Sequence, residues 1–564
     1  MMRFRNWVLL SLSGCGLAET ITTLNTAISN CPPLGAVLPP PKKPSTDAAV
    51  KAVLSELEVL QKEVSVQFGN ATGLSLSIAS AYEDDVLASL SYTPPLYNCT
   101  GTHKVDGDTV FRIASVSKVF TVLGLLLLGD KVNFSDPITK YVPELNRLKA
   151  EQKVQNRVTT VDWDLISIDA LASQLAGVGS NLGNDLANNP ALNLTKYGLP
   201  DLAPGEHSEC GDLPSSKTCT WEDFWNKFGR RVPSYGPYTT PAYSDVTYDI
   251  LGLAIERVSG ESYGDFIQKH IFTPLNMTRS YVSKPEDDSI GFISREPNFW
   301  STSMGFEQAD GGFYSSAHDL TRFGQAILKH ELIDEVTTNA WLKPRSHTSS
   351  LGFSVGAPWE IGRANNLTLD GRIIDVYSKI GGLPDYDTLF MIIPDYGLTV
   401  SMISAGQASS VTTQLGLANQ DPQALSERLR GSCSIKLGID DQSGLHVQSW
   451  VMNGQDILED YPIIASFGSE PSSSSYLSVR LFPTGLQSKV SSAWRAVYNT
   501  LPPAAVPEED ALFILQVGCQ SWETIDNLVY GYNALDDFVF GLNSSGDAAI
   551  SITPRAFRQT LTRV

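Results

Sequence analysis

The sequence predicts an α+β fold: an antiparallel sheet flanked by helices, with a helical part inserted, followed by a smaller β-rich domain. Three observations carry this expectation. Period-two segments occur early, at 74–78 and 86–92, and again late, at 373–379 and 388–403, so that first and last strands can close one sheet around an insertion. Between them a strongly apolar run, 119–128, is too short to span a bilayer and too apolar to face water, which makes it a core helix. From about Gly431 the texture changes to short alternating segments, at 435–439, 445–452, 477–482 and 550–552, with an Asn453-Gly454 turn between two of them. At 564 residues the chain is too long for one ordinary domain.

In chain order, residues 1–18 read as a signal peptide. Arg3 and Arg5 precede a short apolar core, and Gly16-Leu17-Ala18 supplies small residues for cleavage. A proline-rich segment, 19–44, should run extended over the surface. The body, 45–430, opens with Ser45-Thr46-Asp47 as the cap of a helix whose apolar positions from Val50 to Val64 follow the 3.6-residue period. Strands at 74–78, 86–92 and 109–113 then lead into the apolar helix, which is expected to leave a sheet edge. The Gly/Asn/Pro-rich stretch 179–216 has the length of a lid or a disordered loop. A hairpin turning at Pro394-Asp395-Tyr396-Gly397 returns the chain to the first strands. The last domain, 431–564, holds no chemistry-bearing motif; its expected role is structural support by default, with binding, packing over a catalytic mouth or assembly as alternatives.

A net charge of −20 argues against nucleic acid and anionic membrane surfaces, which select basic patches. After removal of Cys15 with the leader, six cysteines remain, an even set suited to an oxidising compartment. Cys210 with Cys219, Cys433 with Cys519 and Cys31 with Cys99 is the simplest pairing. Seven N-x-S/T sequons also fit a secreted, extracellular protein. The histidines show no metal-binding spacing, so neither a metal nor any other cofactor is expected.

The chemistry is expected at the head of the apolar helix. Ser115 and Lys118 stand three apart, so they share a helix face, and an ammonium can reach the hydroxyl; Ser117, next to the lysine, points elsewhere. Further on lie Tyr243-Ser244-Asp245 and Lys379-Ile380-Gly381-Gly382, in the order of the second and third motifs of penicillin-recognising enzymes. No G-x-S-x-G occurs, which weighs against a Ser-His-Asp hydrolase.

With these motifs and the flanks YSDVTYDILGLAIERVSGESYGDF and ADGGFYSSAHDLTRFGQAIL, residues 45–420 resemble the serine beta-lactamase and penicillin-binding-protein family. The likeness is to its class C beta-lactamase and esterase branch, whose pattern is S-x-x-K, Y-x-N and K-x-G or H-x-G, and to fungal-type secreted members with an extra C-terminal domain. The resemblance implies the beta-lactamase/transpeptidase-like fold, with Ser115 as nucleophile and Lys118 with Tyr243 as the proton-transfer pair, either of which can be the base. It places the oxyanion hole at the backbone N–H groups of Ser115 and Gly382. Gly381 and Gly382 would let a substrate backbone lie close, and Lys379 is expected as a cation at the cleft edge, favouring an anionic substrate group.

Two positions depart from the pattern. Asp245 stands where the family has Asn, and Gln174-Leu175-Ala176-Gly177 replaces a common His-Thr-Ser-Gly. A carboxylate at 245 would hold Lys118 as ammonium and shift proton abstraction to Tyr243. The expected function is a secreted serine hydrolase cleaving an ester or amide, as esterase, D-peptidase or beta-lactamase, on a small-molecule or peptide-like substrate. The alternatives are an acyltransferase using the same acyl-enzyme and a catalytically impaired binding protein that keeps the fold.

Overall fold

The computed structural model describes residues 34–36, 40–48, 50–51, 54, 68–151, 155–183, 185–189, 192–211, 217–295, 299–364, 372–406, 433–440, 443–465, 476–501, 521–546 and 548–563. The signal peptide, Cys31, Cys519 and most of the first expected helix lie outside them. The Asp47 carboxylate does accept from the Val50 N–H at 3.1 Å, as a helix cap would.

The fold is the expected α+β arrangement. Its strands in chain order are β1 (Gly73–Ser80), β2 (Val86–Tyr92), β3 (Val110–Arg112), β4 (Tyr314–Ser316), β5 (Ser346–His347), β6 (Phe353–Val355), β7 (Glu360–Ala364), β8 (Ile374–Leu383), β9 (Tyr386–Ile393) and β10 (Leu398–Ala405). Eight of them form one antiparallel sheet in the order β2-β1-β10-β9-β8-β7-β6-β5, so the last strand closes on the first, as the two sets of period-two segments required. Gly397, at φ +61°, turns the chain between β9 and β10. The 109–113 segment is a strand as expected, and β3 pairs with β4 in a separate two-stranded ribbon rather than with this sheet. Phe292 N–H also bonds the Val110 carbonyl beside it.

Packing refines the reading of β1. Leu74, Leu76 and Ile78 do share a face, but Ser75, Ser77 and Ala79 opposite are the fully covered ones. Small side chains there let the helix Ala317–Leu328 lie close. Ser77 Oγ meets Thr321 Oγ1 at 3.2 Å, and a Cβ on Gly324 would collide with Thr399. The apolar helix, Ser117–Leu127, is buried nearly throughout, with Phe120 stacked on Phe323 at 4.1 Å between centroids. That burial holds its head rigid.

A second sheet follows, built from β11 (Ser434–Gly438), β12 (Leu445–Met452), β13 (Gln455–Asp456), β14 (Tyr476–Gln487) and β15 (Ser491–Leu501). After a short pair, β16 (Val529–Tyr530) and β17 (Asn533–Ala534), it continues with β18 (Asp537–Leu542), β19 (Ala549–Pro554) and β20 (Leu561–Thr562). Its core holds Trp450, Phe538 and Phe557, and it also takes in Leu186, Leu194 and Leu199 from the stretch expected to be a lid or disordered. That stretch is a strap: its leucines fasten the second unit to the first. The contact is also ionic. Arg231 pairs with Asp526, and Arg495 reaches Asp526 and Asp536, each at 2.9 Å, all of them buried.

Cys210 and Cys219 form a disulfide. Cys99 and Cys433 have no disulfide partner among the described residues, and their expected partners lie outside them. Among the described residues no helix is long and apolar enough to cross a membrane, and no cluster of side chains could hold a metal ion.

Candidate active site

Chain geometry bends sharply before Ser115. Ala114 has φ +45°, a left-handed conformation that costs a residue with a Cβ about 1–3 kcal/mol and persists only where its surroundings enforce it. Ser115 follows in a single 3-10 turn, Ala114–Val116, that runs into the helix Ser117–Leu127. Gly381 of β8 presses against this turn: a Cβ there would stand 2.2 Å from the Ile113 carbonyl oxygen and 3.0 Å from the Ser115 nitrogen. Only glycine lets the strand come so close.

Lys118, one turn on, has no exposed surface. Its ammonium donates to Ser115 Oγ at 3.0 Å, to Asp245 Oδ1 at 2.7 Å and to the Asp310 carbonyl at 2.8 Å. An ammonium has three donors and no acceptor, and all three are used. Burial alone would push the lysine down, but the Asp245 carboxylate, helped by Tyr243 and Asp310, outweighs it and holds Lys118 well above its ordinary value. Asp245 thus faces the site rather than the core. Ser117 is structural; its hydroxyl bonds the Ala114 carbonyl at 2.7 Å and accepts from Phe313 N–H.

Tyr243 lies between two cations, its ring centroid 5.2 Å from Lys118 Nζ and 5.1 Å from Lys379 Nζ. Its loop is held by the backbone, residue by residue. Ala242 N–H bonds the Gln174 carbonyl at 2.9 Å, and Ser244 N–H bonds Gln174 Oε1 at 2.8 Å. Asp245 N–H bonds the Ser180 carbonyl at 2.9 Å. Gln174, which departs from the family pattern and sits at φ +61°, is therefore the cradle of the tyrosine loop. Tyr243 N–H donates to the Trp522 carbonyl at 2.9 Å, and the two rings lie 5.7 Å apart. Trp522 comes from the C-terminal unit.

Lys379 requires a correction. It was expected at the cleft edge, open to an anionic group; it is 2% exposed and paired with Glu360. Burial would lower the lysine, and the Glu360 carboxylate more than reverses this. Glu360 also accepts from the Ile380 N–H at 2.8 Å. That bond fixes an orientation: β7 pairs with β8 only as far as Ser378, and N–H groups two apart on a strand point to the same edge. The Gly382 N–H therefore points to the same unpaired edge as that of Ile380. Gly382 is exposed, and a Cβ on it would meet nothing closer than 3.4 Å, so the close approach belongs to Gly381.

The structure brings Ser115, Lys118, Tyr243, Asp245, Lys379 and Gly381 into one cluster, with Gly382 at its open edge. Sequence reasoning missed Asp310, Glu360 and Trp522. None of them belongs to the ordered motifs, and a backbone carbonyl such as that of Asp310 or Trp522 leaves no trace in side-chain identity.

The model of the Beta-lactamase family matches residues 74–421, and a model of the C-terminal domain of beta-lactamase-like proteins matches 425–564. The chain is 29% identical to a beta-lactamase-like protein of Arthroderma benhamiae over 95% of this chain and 96% of that one. It is 25% identical to a probable hydrolase, M10, of a Phoma species, over 82% and 79%. Among solved structures, a D-stereospecific amidohydrolase from Streptomyces is 18% identical, with a TM-score of 0.47 over 63% of this chain and 96% of that one.

Proposed function

We propose, from the premise that this chain belongs to the beta-lactamase family, that it cleaves an ester or amide through an acyl-enzyme on Ser115. It is an enzyme of the serine hydrolase type. The observation that carries the acyl-enzyme reading is the 3.0 Å bond from Lys118 to Ser115 Oγ, made by an ammonium whose other two donors are already held.

An ammonium cannot take the serine's proton, but by donating into Oγ it lowers the cost of negative charge there. Tyr243 is the group left to accept the proton, and the two cations facing its ring stabilise negative charge on it. Ser115 Oγ attacks the carbonyl carbon as its proton passes to the Tyr243 phenolate. The oxyanion is received by the Ser115 and Gly382 N–H groups, and Tyr243 returns the proton to the departing alcohol or amine. Water, or in an acyltransferase a second alcohol or amine, then releases the acyl group by the reverse sequence. Because Lys379 is paired with Glu360, an anionic substrate group finds little free positive charge at that edge.

A fluorophosphonate probe tests the reading. It should label the wild-type protein and leave Ser115→Ala unlabelled; equal labelling of both would refute it. The proposal extends to secretion, supported by the leader-like N-terminus and the Cys210–Cys219 disulfide. Sequencing the N-terminus of protein recovered from culture medium tests that part, with a start near Glu19 expected.

A further inference from the structure

The C-terminal unit encloses more than its own core. Between the two units lies a cavity of about 490 Å³, within the ~300–1,000 Å³ range of small-molecule sites. Residues 239–241 and 347–349 of the first unit form one wall, and Phe482, Val497, Ser521, Trp522 and Ile525 of the second form the other. Two features tie it to the reacting centre. Pro241 stands two residues before Tyr243, and Trp522 both lines the cavity and takes the Tyr243 N–H.

We propose that this cavity receives the leaving-group half of the substrate, and that the group it fits is an uncharged ring system bearing hydroxyl or carbonyl oxygens. The inference rests on the acyl-enzyme reading above. The leaving atom must depart beside the residue that protonates it, which is Tyr243, and two of the cavity's lining residues, Pro241 and Trp522, flank that residue. Its chemistry selects the class. Tyr235, Phe482 and Trp522 offer aromatic surface, while Thr240, Ser349 and Ser478 offer hydroxyls. The lining cation is engaged: Arg480 makes a two-pronged pair with Asp440 at 2.9 and 2.6 Å. His347 is engaged too, through Ser354 at 3.1 Å. A charged leaving group would thus be stripped of water without gaining a counter-charge.

The test compares two acetates that form the same acyl-enzyme, 2-naphthyl acetate and ethyl acetate, on wild type, Ser349→Trp and Val497→Trp. Both tryptophans fill the cavity, and Ser349 is an exposed loop position whose replacement leaves the core alone. The ratio of kcat/KM for naphthyl over ethyl ester should fall at least tenfold, through KM. An unchanged ratio in a folded variant overturns the proposal. A second arm does not depend on turnover: Ser115→Ala protein should bind 2-naphthol at one site, with the affinity lost when Ser349→Trp is added. Absence of that binding, or tighter binding of 2-naphthoate than of 2-naphthol, also overturns it. Should wild type hydrolyse neither ester, the hydrolase reading fails, and the binding arm alone decides the cavity's role.

Discussion

Replacing Asp245 by asparagine removes one charge and little else, since the amide oxygen can still accept from Lys118. At the observed 2.7 Å, two unit charges attract by roughly 6 kcal/mol at an effective dielectric of about 20. Part of that offsets desolvation, so breaking such a buried pair costs about 3–5 kcal/mol. The hydrogen bond from ammonium to amide restores part of it, and a net loss of about 2 kcal/mol remains. At 1.36 kcal/mol per unit, this moves the titration of the site by about 1.5 pH units. The direction follows from sign: with a negative charge gone, protons leave the site more readily, so both limbs of the kcat/KM profile move to lower pH. Stability should follow. Lys118 is raised in the folded state, so the pair's contribution is complete at neutral pH and is lost only as pH rises through the folded value; Asp245→Asn should therefore show its full destabilisation at pH 7. The assay is p-nitrophenyl acetate hydrolysis from pH 5 to 10, corrected for spontaneous release, for wild type and variant. Superimposable profiles would refute the role given to Asp245.

Three further outcomes are expected. Ser115→Ala and Lys118→Ala should each abolish hydrolysis, and the double variant should be little worse than either alone, because both act in one step; additive losses in kcat/KM would contradict this. Arg231→Met should cost about 3–5 kcal/mol by leaving Asp526 short of a buried partner, and thermal unfolding should then separate the two units; a single unshifted transition would contradict it. Glu523, beside Glu360 and Lys379, is pushed up to about 8 by burial and by the Glu360 charge. With the folded value above the unfolded one, the folded chain holds the extra proton, so this group's contribution falls as pH rises from about 4 to about 8. Glu523→Gln should gain on wild type across that window by on the order of 1 kcal/mol or more, and parallel Tm–pH curves would count against this.

Much of this was legible in the sequence, because some signals are local. The spacing of Ser115 and Lys118 sets a shared helix face whatever the rest of the chain does, and period-two alternation announced β1, β2 and the β9–β10 hairpin. Other features were fixed by partners distant in the chain. Lys379 reads as an edge cation until Glu360, nineteen positions earlier, is folded against it. The 109–113 segment has strand character, but only tertiary context decides that it pairs with β4. The strap leucines 186, 194 and 199 sit in a loop-like composition and acquire meaning only from the second core they enter. Asp245 was the productive exception: a single departure from a motif stated its own consequence, a lysine fixed as ammonium, and the structure shows the bond.

The central claim is a covalent acyl group on Ser115, and mass spectrometry of protein quenched during turnover of p-nitrophenyl acetate tests it most directly. The account predicts one acetyl group per chain, on the peptide carrying Ser115, that accumulates under turnover, decays when substrate is exhausted, and is absent from Ser115→Ala. An acetyl group on another residue with the same kinetics, or undiminished turnover by Ser115→Ala, would contradict it.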